Sequence, residues 1–208
     1  MRETCIEQTM KEWTKFLIAY KFALDEVRTK LNILNEEFQI IHDYNPIEHI
    51  KTRLKKPDSI FKKLKSKNLD ISYENARLHI RDIAGVRVIC SFTTDIHKIL
   101  DLICSQDDVK VLEIKDYVKN PKPNGYQSLH AIIEIPIFLS GGAKRLAVEV
   151  QIRTIAMDFW ASLEHKIYYK YTKGIPSSIQ YRLKEAADIV SALDSKMLAL
   201  QNEIENQP

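Results

Sequence analysis

Glycine and proline are scarce in these 208 residues, five of one and seven of the other, and neither clusters into a linker or a repeat. That scarcity excludes collagen-like and low-complexity chains, and with 45% hydrophobic and 28% charged residues a packed globular protein is expected. Cysteine is equally sparse. Cys5, Cys90 and Cys104 are odd in number and widely spaced, which gives neither a disulfide framework nor a zinc-ligand pattern and fits reduced thiols. No apolar run is long enough to cross a bilayer, and "MRETCIEQTM" lacks the apolar core of a secretory signal, so a cytoplasmic protein is expected. The Gly-x-x-x-x-Gly-Lys-Ser/Thr pattern of a phosphate-binding loop is also missing, so any phosphates must be gripped by side chains.

What is present begins with a heptad seam. Trp13, Leu17, Tyr20, Leu24, Val27, Leu31, Leu34, Phe38 and Ile41 follow one another at alternating intervals of four and three, with no Gly or Pro before Pro46. This predicts a long helix, or two stacked ones, whose apolar stripe packs on the chain's own core or on another copy. From Asn45 onward, short apolar runs alternate with helical patterns. "IEHIKTRL", "AGVRVICSF", "VKVLEIKDYV", "SLHAIIEIPIF" and "KRLAVEVQIRT" read as strands. "DSIFKKLKSK", opened by an Asp-Ser capping pair, "SYENARLHI" and "DIHKILDLIC" read as helices. The remainder reads as two helices broken near Gly174 and Pro176. The expectation is one α+β (mixed α/β) domain over residues 45–173, between a helical extension at 1–44 and a C-terminal helix at 174–208.

The net charge of +3 hides an asymmetry. Lys51, Arg53, Lys55, Lys56, Lys62, Lys63, Lys65 and Lys67 lie in one stretch with a single acid, Asp58, so this stretch carries +7 and the rest of the chain −4. A localised positive region predicts a polyanionic partner, either nucleotide phosphates or nucleic acid.

Three charges fall at the strands. Arg87 interrupts "AGVRVIC", Glu149 interrupts "LAVEVQI", and Asp82 stands just before the first of these. A charge on the inner face of a strand is costly unless it is paired or metal-bound, although any one of the three could face solvent or cap a turn. As a group they make a pattern. If Asp82 and Glu149 meet on one sheet, one of them takes up a proton unless a cation lies between them. Mg²⁺ suits that place because it binds few carboxylates and fills its remaining positions with water and substrate phosphates. Such a pair beside a +7 stretch is equipment for phosphoryl-type transfer.

"KPNGYQSLH", residues 122–130, lies between two expected strands. Its Asn-Gly pair turns the chain, leaving Tyr126 at the mouth of the next strand where its ring could stack on a base. Lys122 could neutralise phosphate on the same ligand. His130, on the same strand face as Tyr126, could hydrogen-bond a phosphate or sugar.

The blocks "RLKKPDSIFKKL", "RDIAGVRVIC", "PKPNGYQSLH" and "EVQIRTIAMDFWASLEHKIYYKY" resemble, in order and spacing, the synthetase domain of the RelA/SpoT homologues. The chain looks like a stand-alone small alarmone synthetase, nearest to the RelP type. The resemblance implies a nucleotidyltransferase-like mixed sheet of about five strands and a Mg²⁺-dependent pyrophosphokinase. This activity moves the β,γ-diphosphate of ATP to the 3′-hydroxyl of GDP or GTP, giving ppGpp or pppGpp and AMP. By position it implies that Asp82 and Glu149 hold the metal, with Glu149 also placed to deprotonate the 3′-hydroxyl. It implies Arg53 and Arg87 around adenine, and Lys55, Ser59 and Lys63 on the ATP phosphates. Lys122, Asn124, Tyr126 and His130 fall to the guanine nucleotide, with Tyr126 stacked on guanine. Relatives commonly have Asn or His where this chain has Asp158, which gives Asp158 a weaker claim to guanine contact. A homotetramer is implied as well.

Two other readings compete. A non-catalytic RNA-binding module explains the basic stretch, but not the carboxylates, which weaken phosphate binding unless a metal is present. An adenylyl transferase leaves the stacking tyrosine without a purpose.

Overall fold

The computed structural model describes residues 2–170 and 175–206, with side chains from Met10 to Tyr168 and from Ile175 to Asn206. The expected break at Gly174, and with it the boundary between residues 173 and 174, lies outside the described residues.

The heptad region is one helix, α1 (Arg2–Ile41), about 60 Å long at 1.5 Å per residue. Its seam packs on the chain's own sheet. Tyr20, Leu24, Val27, Leu31 and Phe38 are buried, with Trp13, Leu17 and Leu34 partly so, whereas Ile41 at the end is exposed. Each fully buried position of this size contributes about 1.5–3 kcal/mol, so the stripe is spent on holding α1 across the sheet.

Five strands follow, β1 (Ile47–Leu54), β2 (Ala84–Cys90), β3 (Lys110–Asp116), β4 (Leu129–Leu139) and β5 (Gly142–Thr154). They form one mixed sheet in the order β1-β2-β5-β4-β3, antiparallel except for the central β2–β5 pair. The other helices are α2 (Pro57–Ser66), α3 (Tyr73–His79), α4 (Thr93–Cys104), α5 (Ile155–Lys170) and α6 (Ser177–Glu205). Ser72 caps α3 by accepting from the Asn75 amide at 3.1 Å. The expected Asp-Ser cap of α2 is displaced: Lys56 is the cap residue, without a side-chain bond, and Pro57 starts the helix. Proline fits a first helical position because its missing N–H would have no partner there. Asp58 and Ser59 thus lie in the first turn.

The sheet has two unlike faces. Val86 and Val88 of β2, Val148, Val150 and Ile152 of β5, and Ala131, Ile133 and Ile135 of β4 are buried on one face, where α1 and α4 pack. The opposite face takes the alternate residues, Gly85 and Arg87, Glu149, Gln151 and Arg153, and His130. Helix α5 packs against β5 and β2, α6 packs on α5 and α4, and the rest of the polar face carries open clefts.

Candidate active site

Backbone register assembles the site before any side chain is considered. Gly85 pairs with Glu149 and Arg87 with Gln151 across the parallel β2–β5 pair, while Arg53 pairs with Gly85 and Lys51 with Arg87 across β1–β2. On the other flank His130 pairs with Gln151 and Lys115 with His130. All of these positions share the polar face. Glycine opposite Glu149 keeps the floor between the two strands open.

Two clefts occupy this face. One, of about 240 Å³, is lined by Lys51, Arg53, Asp82, Arg87, Glu149 and Gln151, among others. The second, of about 280 Å³, is lined by Lys63, Lys67, Arg81, Glu113, Lys115 and Ile132, and again by Asp82 and Glu149. The two carboxylates therefore stand on the ridge that both clefts share. Residues 67 apart in sequence meet because the loop entering β2 and the middle of β5 are adjacent in the sheet.

Both carboxylates are kept ionised. Burial works to raise the pKa of Asp82, but hydrogen bonds and charge from Lys55 (Nζ to Oδ2, 2.8 Å) and Lys63 (Nζ to Oδ1, 2.9 Å) outweigh it, and the net shift is downward. Burial of Glu149 is likewise outweighed, chiefly by His130, whose Nδ1 is 3.3 Å from Oε1; the negative charge of Asp82 pushes the other way. Gln151 Nε2 donates to Glu149 Oε2 at 2.9 Å. Among the described residues, no group of three or more His, Cys, Asp or Glu is arranged for a metal. Two ionised oxygen donors beside phosphate-sized clefts do fit a hard divalent cation that keeps water and substrate oxygens as its other ligands.

The "KPNGYQSLH" segment forms a different turn from the one expected. Gly125 N donates to Lys122 O at 2.8 Å, so Pro123 and Asn124 are the central residues of the turn, and Gly125 follows at φ +86°. A mirror-image Asn-Gly turn needs positive φ at both central residues, which Asn124 does not have; Pro123 instead presets the first central position, and glycine takes the left-handed one. Tyr126 consequently precedes β4 by three residues, yet its hydroxyl meets His130 Nε2 at 2.8 Å. Arg153 Nη2 also donates to that hydroxyl. Because a guanidinium only donates, the Tyr126 oxygen accepts from Arg153, and His130 bridges that hydroxyl, through Nε2, to Glu149, through Nδ1. Two cations approach the Tyr126 ring, with Lys122 Nζ at 4.7 Å and the Arg153 guanidinium carbon at 5.1 Å from its centroid. Asn124 accepts from the Tyr126 amide and donates to Glu164 on α5.

Residues 52–174 match the region found in RelA / SpoT proteins. The chain belongs to the RelA/SpoT family. It is 48% identical over 200 residues to GTP pyrophosphokinase YwaC of Bacillus subtilis, covering 96% of this chain and 95% of that one. Among solved structures, small alarmone synthetase 1 from Bacillus subtilis bound to its product pppGpp superposes with a TM-score of 0.87 at 34% identity, covering 94% of this chain and all of that one. The same synthetase bound to AMPCPP gives 0.80 at 31% identity, covering 95% and 100%.

Of the residues expected from the family pattern, Arg53, Arg87, Asp82 and Glu149 share the first cleft, Lys55 and Lys63 hold Asp82, and Lys122, Tyr126 and His130 cluster beyond Glu149. Ser59 is exposed one helical turn before Lys63. The carboxylate of Asp158 is taken by Arg87 at 2.9 Å, Arg153 at 3.3 Å and Lys51 at 3.5 Å. Sequence reasoning missed Gln151 and Arg153. The available signal was the row Glu149, Gln151, Arg153, three polar side chains at period two alternating with the apolar Val148, Val150 and Ile152.

Proposed function

We propose that this RelA/SpoT-family chain is a (p)ppGpp synthetase that moves the β,γ-diphosphate of ATP onto the 3′-hydroxyl of GDP or GTP. The observation that carries this reading is the pair Asp82 and Glu149 standing between two clefts, one with arginines suited to a base and one lined with lysines. The named relatives, and the pppGpp and AMPCPP bound to a close structural neighbour, support it.

ATP enters the first cleft with adenine against Arg53 and Arg87, because a guanidinium stacks on a flat ring while remaining charged. Lys55, Ser59 and Lys63 take its phosphates, drawing the two ammonium groups partly away from Asp82. GDP or GTP lies across Tyr126, which requires the exposed Lys122 to swing off the ring toward phosphate. Asn124 and His130 fix the nucleotide from the turn and from β4. Asp82 and Glu149 would hold a divalent cation, Mg²⁺ in this reading, which would supply charge neutralisation for the transferred diphosphate. Ionised Glu149 accepts the 3′-hydroxyl proton. The new bond joins the 3′-oxygen to the β-phosphorus; the bond from that phosphorus to the oxygen bridging to the α-phosphate breaks, and AMP leaves with the bridging oxygen. The protein's contribution is alignment and charge compensation.

With ATP labelled at the γ-phosphate, GDP and Mg²⁺, the purified chain is expected to give AMP and a guanosine carrying a labelled 3′-diphosphate. Pyrophosphate in place of AMP supports adenylyl transfer instead, and salt-sensitive RNA binding without turnover supports the RNA module.

The protein acts in the cytoplasm as a homotetramer in this reading. Most of the α1 seam is buried in the chain's own core, and the surface this reading assigns to self-association is the exposed apolar row on α6 of Ile189, Leu193, Met197, Leu200 and Ile204. Sedimentation velocity tests it: Leu193→Glu with Met197→Lys is expected to shift a tetramer to smaller species, and a wild-type monomer overturns it.

A further inference from the structure

Two charges are buried more deeply than the reaction requires. Arg153 is 4% exposed and Asp158 is 7% exposed, and neither has a role in the transfer described above. Arg153 nevertheless uses its whole guanidinium. Nε donates to Ser128 Oγ at 3.2 Å, Nη1 to Asp158 Oδ1 at 3.3 Å, and Nη2 to Gln151 Oε1 at 3.1 Å and to the Tyr126 hydroxyl. Asp158 Oδ1 is shared with Arg87 Nη1 at 2.9 Å. One carboxylate oxygen therefore joins an arginine in the first cleft to an arginine that holds the tyrosine beyond Glu149.

Chemistry assigns each group its part. Hydrogen bonds to a guanidinium lie in its plane, so Asp158 grips Arg87 by one edge and leaves the two faces open to an aromatic ring. Arg87 Nε is buried without a partner, so among the described residues the hydrogen bond that holds this guanidinium is the one from Nη1 to Asp158. On the other side, Arg153 is a rigid fork that donates to the Tyr126 hydroxyl and so holds the tyrosine against His130.

We propose that Arg153 and Asp158 are positioning residues that build the two nucleotide half-sites as one unit, with Asp158 shared between them and Arg153 serving only the guanine side. This rests on the synthetase reading, with adenine at Arg87 and guanine at Tyr126, and it replaces direct guanine contact as the role of Asp158.

The test is steady-state kinetics of the full chain with ATP and GDP varied in turn, alongside thermal unfolding. Arg153→Met is expected to raise KM for GDP about tenfold or more, the scale of a lost charge-assisted hydrogen bond, and to leave KM for ATP within about twofold. Arg153→Lys, which keeps the charge without the fork, falls between the variant and wild type. Asp158→Asn, nearly isosteric, is expected to raise both constants about tenfold, and Asp158→Glu recovers part of each. A change in KM for GDP alone in Asp158→Asn restores direct guanine contact and overturns the proposal. Lowered melting temperatures with unchanged constants reduce both residues to structural ion pairs and overturn it as well. A wild-type chain that makes no 3′-diphosphate sinks the synthetase reading instead; dissociation constants for GDP and a non-hydrolysable ATP analogue on the same variants then decide between shared and separate half-sites.

Discussion

Lys55 Nζ stands 2.8 Å from Asp82 Oδ2, and the lysine side chain is only 9% exposed. A charge this enclosed has given up most of its water and depends on its partner, so Lys55→Met is expected to cost about 1.5–3 kcal/mol at neutral pH. The sign with pH follows from the lowered pKa of Asp82. Stabilisation by a depressed carboxylate is complete above its ordinary value of about 3.9 and is lost as pH falls through the lower folded value. Urea unfolding from pH 7 to pH 2.5 should show the gap between wild type and Lys55→Met closing below about pH 4. A gap that holds constant across that range would mean the pair is not the source of the stability.

Asp82→Asn keeps shape and hydrogen-bonding capacity but removes one of the two charges on the ridge. Activity is expected to fall about 10²-fold or more, with the circular dichroism spectrum retained. The variant should also need more divalent cation for half-maximal rate, which a metal titration measures; an unchanged titration argues against Asp82 as a metal ligand.

Tyr126 performs two tasks that substitution can separate. Tyr126→Ala removes the ring and is expected to raise KM for GDP about tenfold or more, in line with about 1–3 kcal/mol for stacking, while sparing KM for ATP. Tyr126→Phe retains the ring and loses only the hydroxyl that ties Arg153 to His130, so a smaller increase is expected. Equal effects of Tyr126→Ala on both substrates would refute base stacking.

Gly125 couples the guanine turn to α6. It has φ +86°, and a Cβ there would lie 2.4 Å from Ala187 Cβ and 3.1 Å from Lys184 Cδ. Gly125→Ala must therefore strain the turn and push α6 away from it. A loss of about 1–3 kcal/mol is expected in chemical denaturation, together with weaker GDP binding. Unchanged stability would show that the helix yields without cost.

The order of strands and helices was legible from residues alone, since period two and period 3.5 are imposed by local backbone geometry. The five strands and the long first helix follow from such patterns, whereas Tyr126 reaches His130 from the loop before β4 and not from a shared strand face. Turn and cap details were less legible: Pro57 rather than Asp58 opens α2, and Pro123 rather than the Asn-Gly pair governs the turn, because proline's ring overrides weaker side-chain preferences.

The sequence by itself determined which residue types were available, a basic stretch, two isolated acids, a tyrosine after a glycine, and their assignment to strands and loops. Only the tertiary structure decided that β2 pairs with β5, which puts Asp82 and Glu149 on one ridge, and that the α1 stripe is consumed by the chain's own core. It also decided that Arg153 and Asp158 join two sites that lie apart along the chain. Strand order and helix docking depend on the sum of many weak long-range contacts, and no local pattern carries that sum.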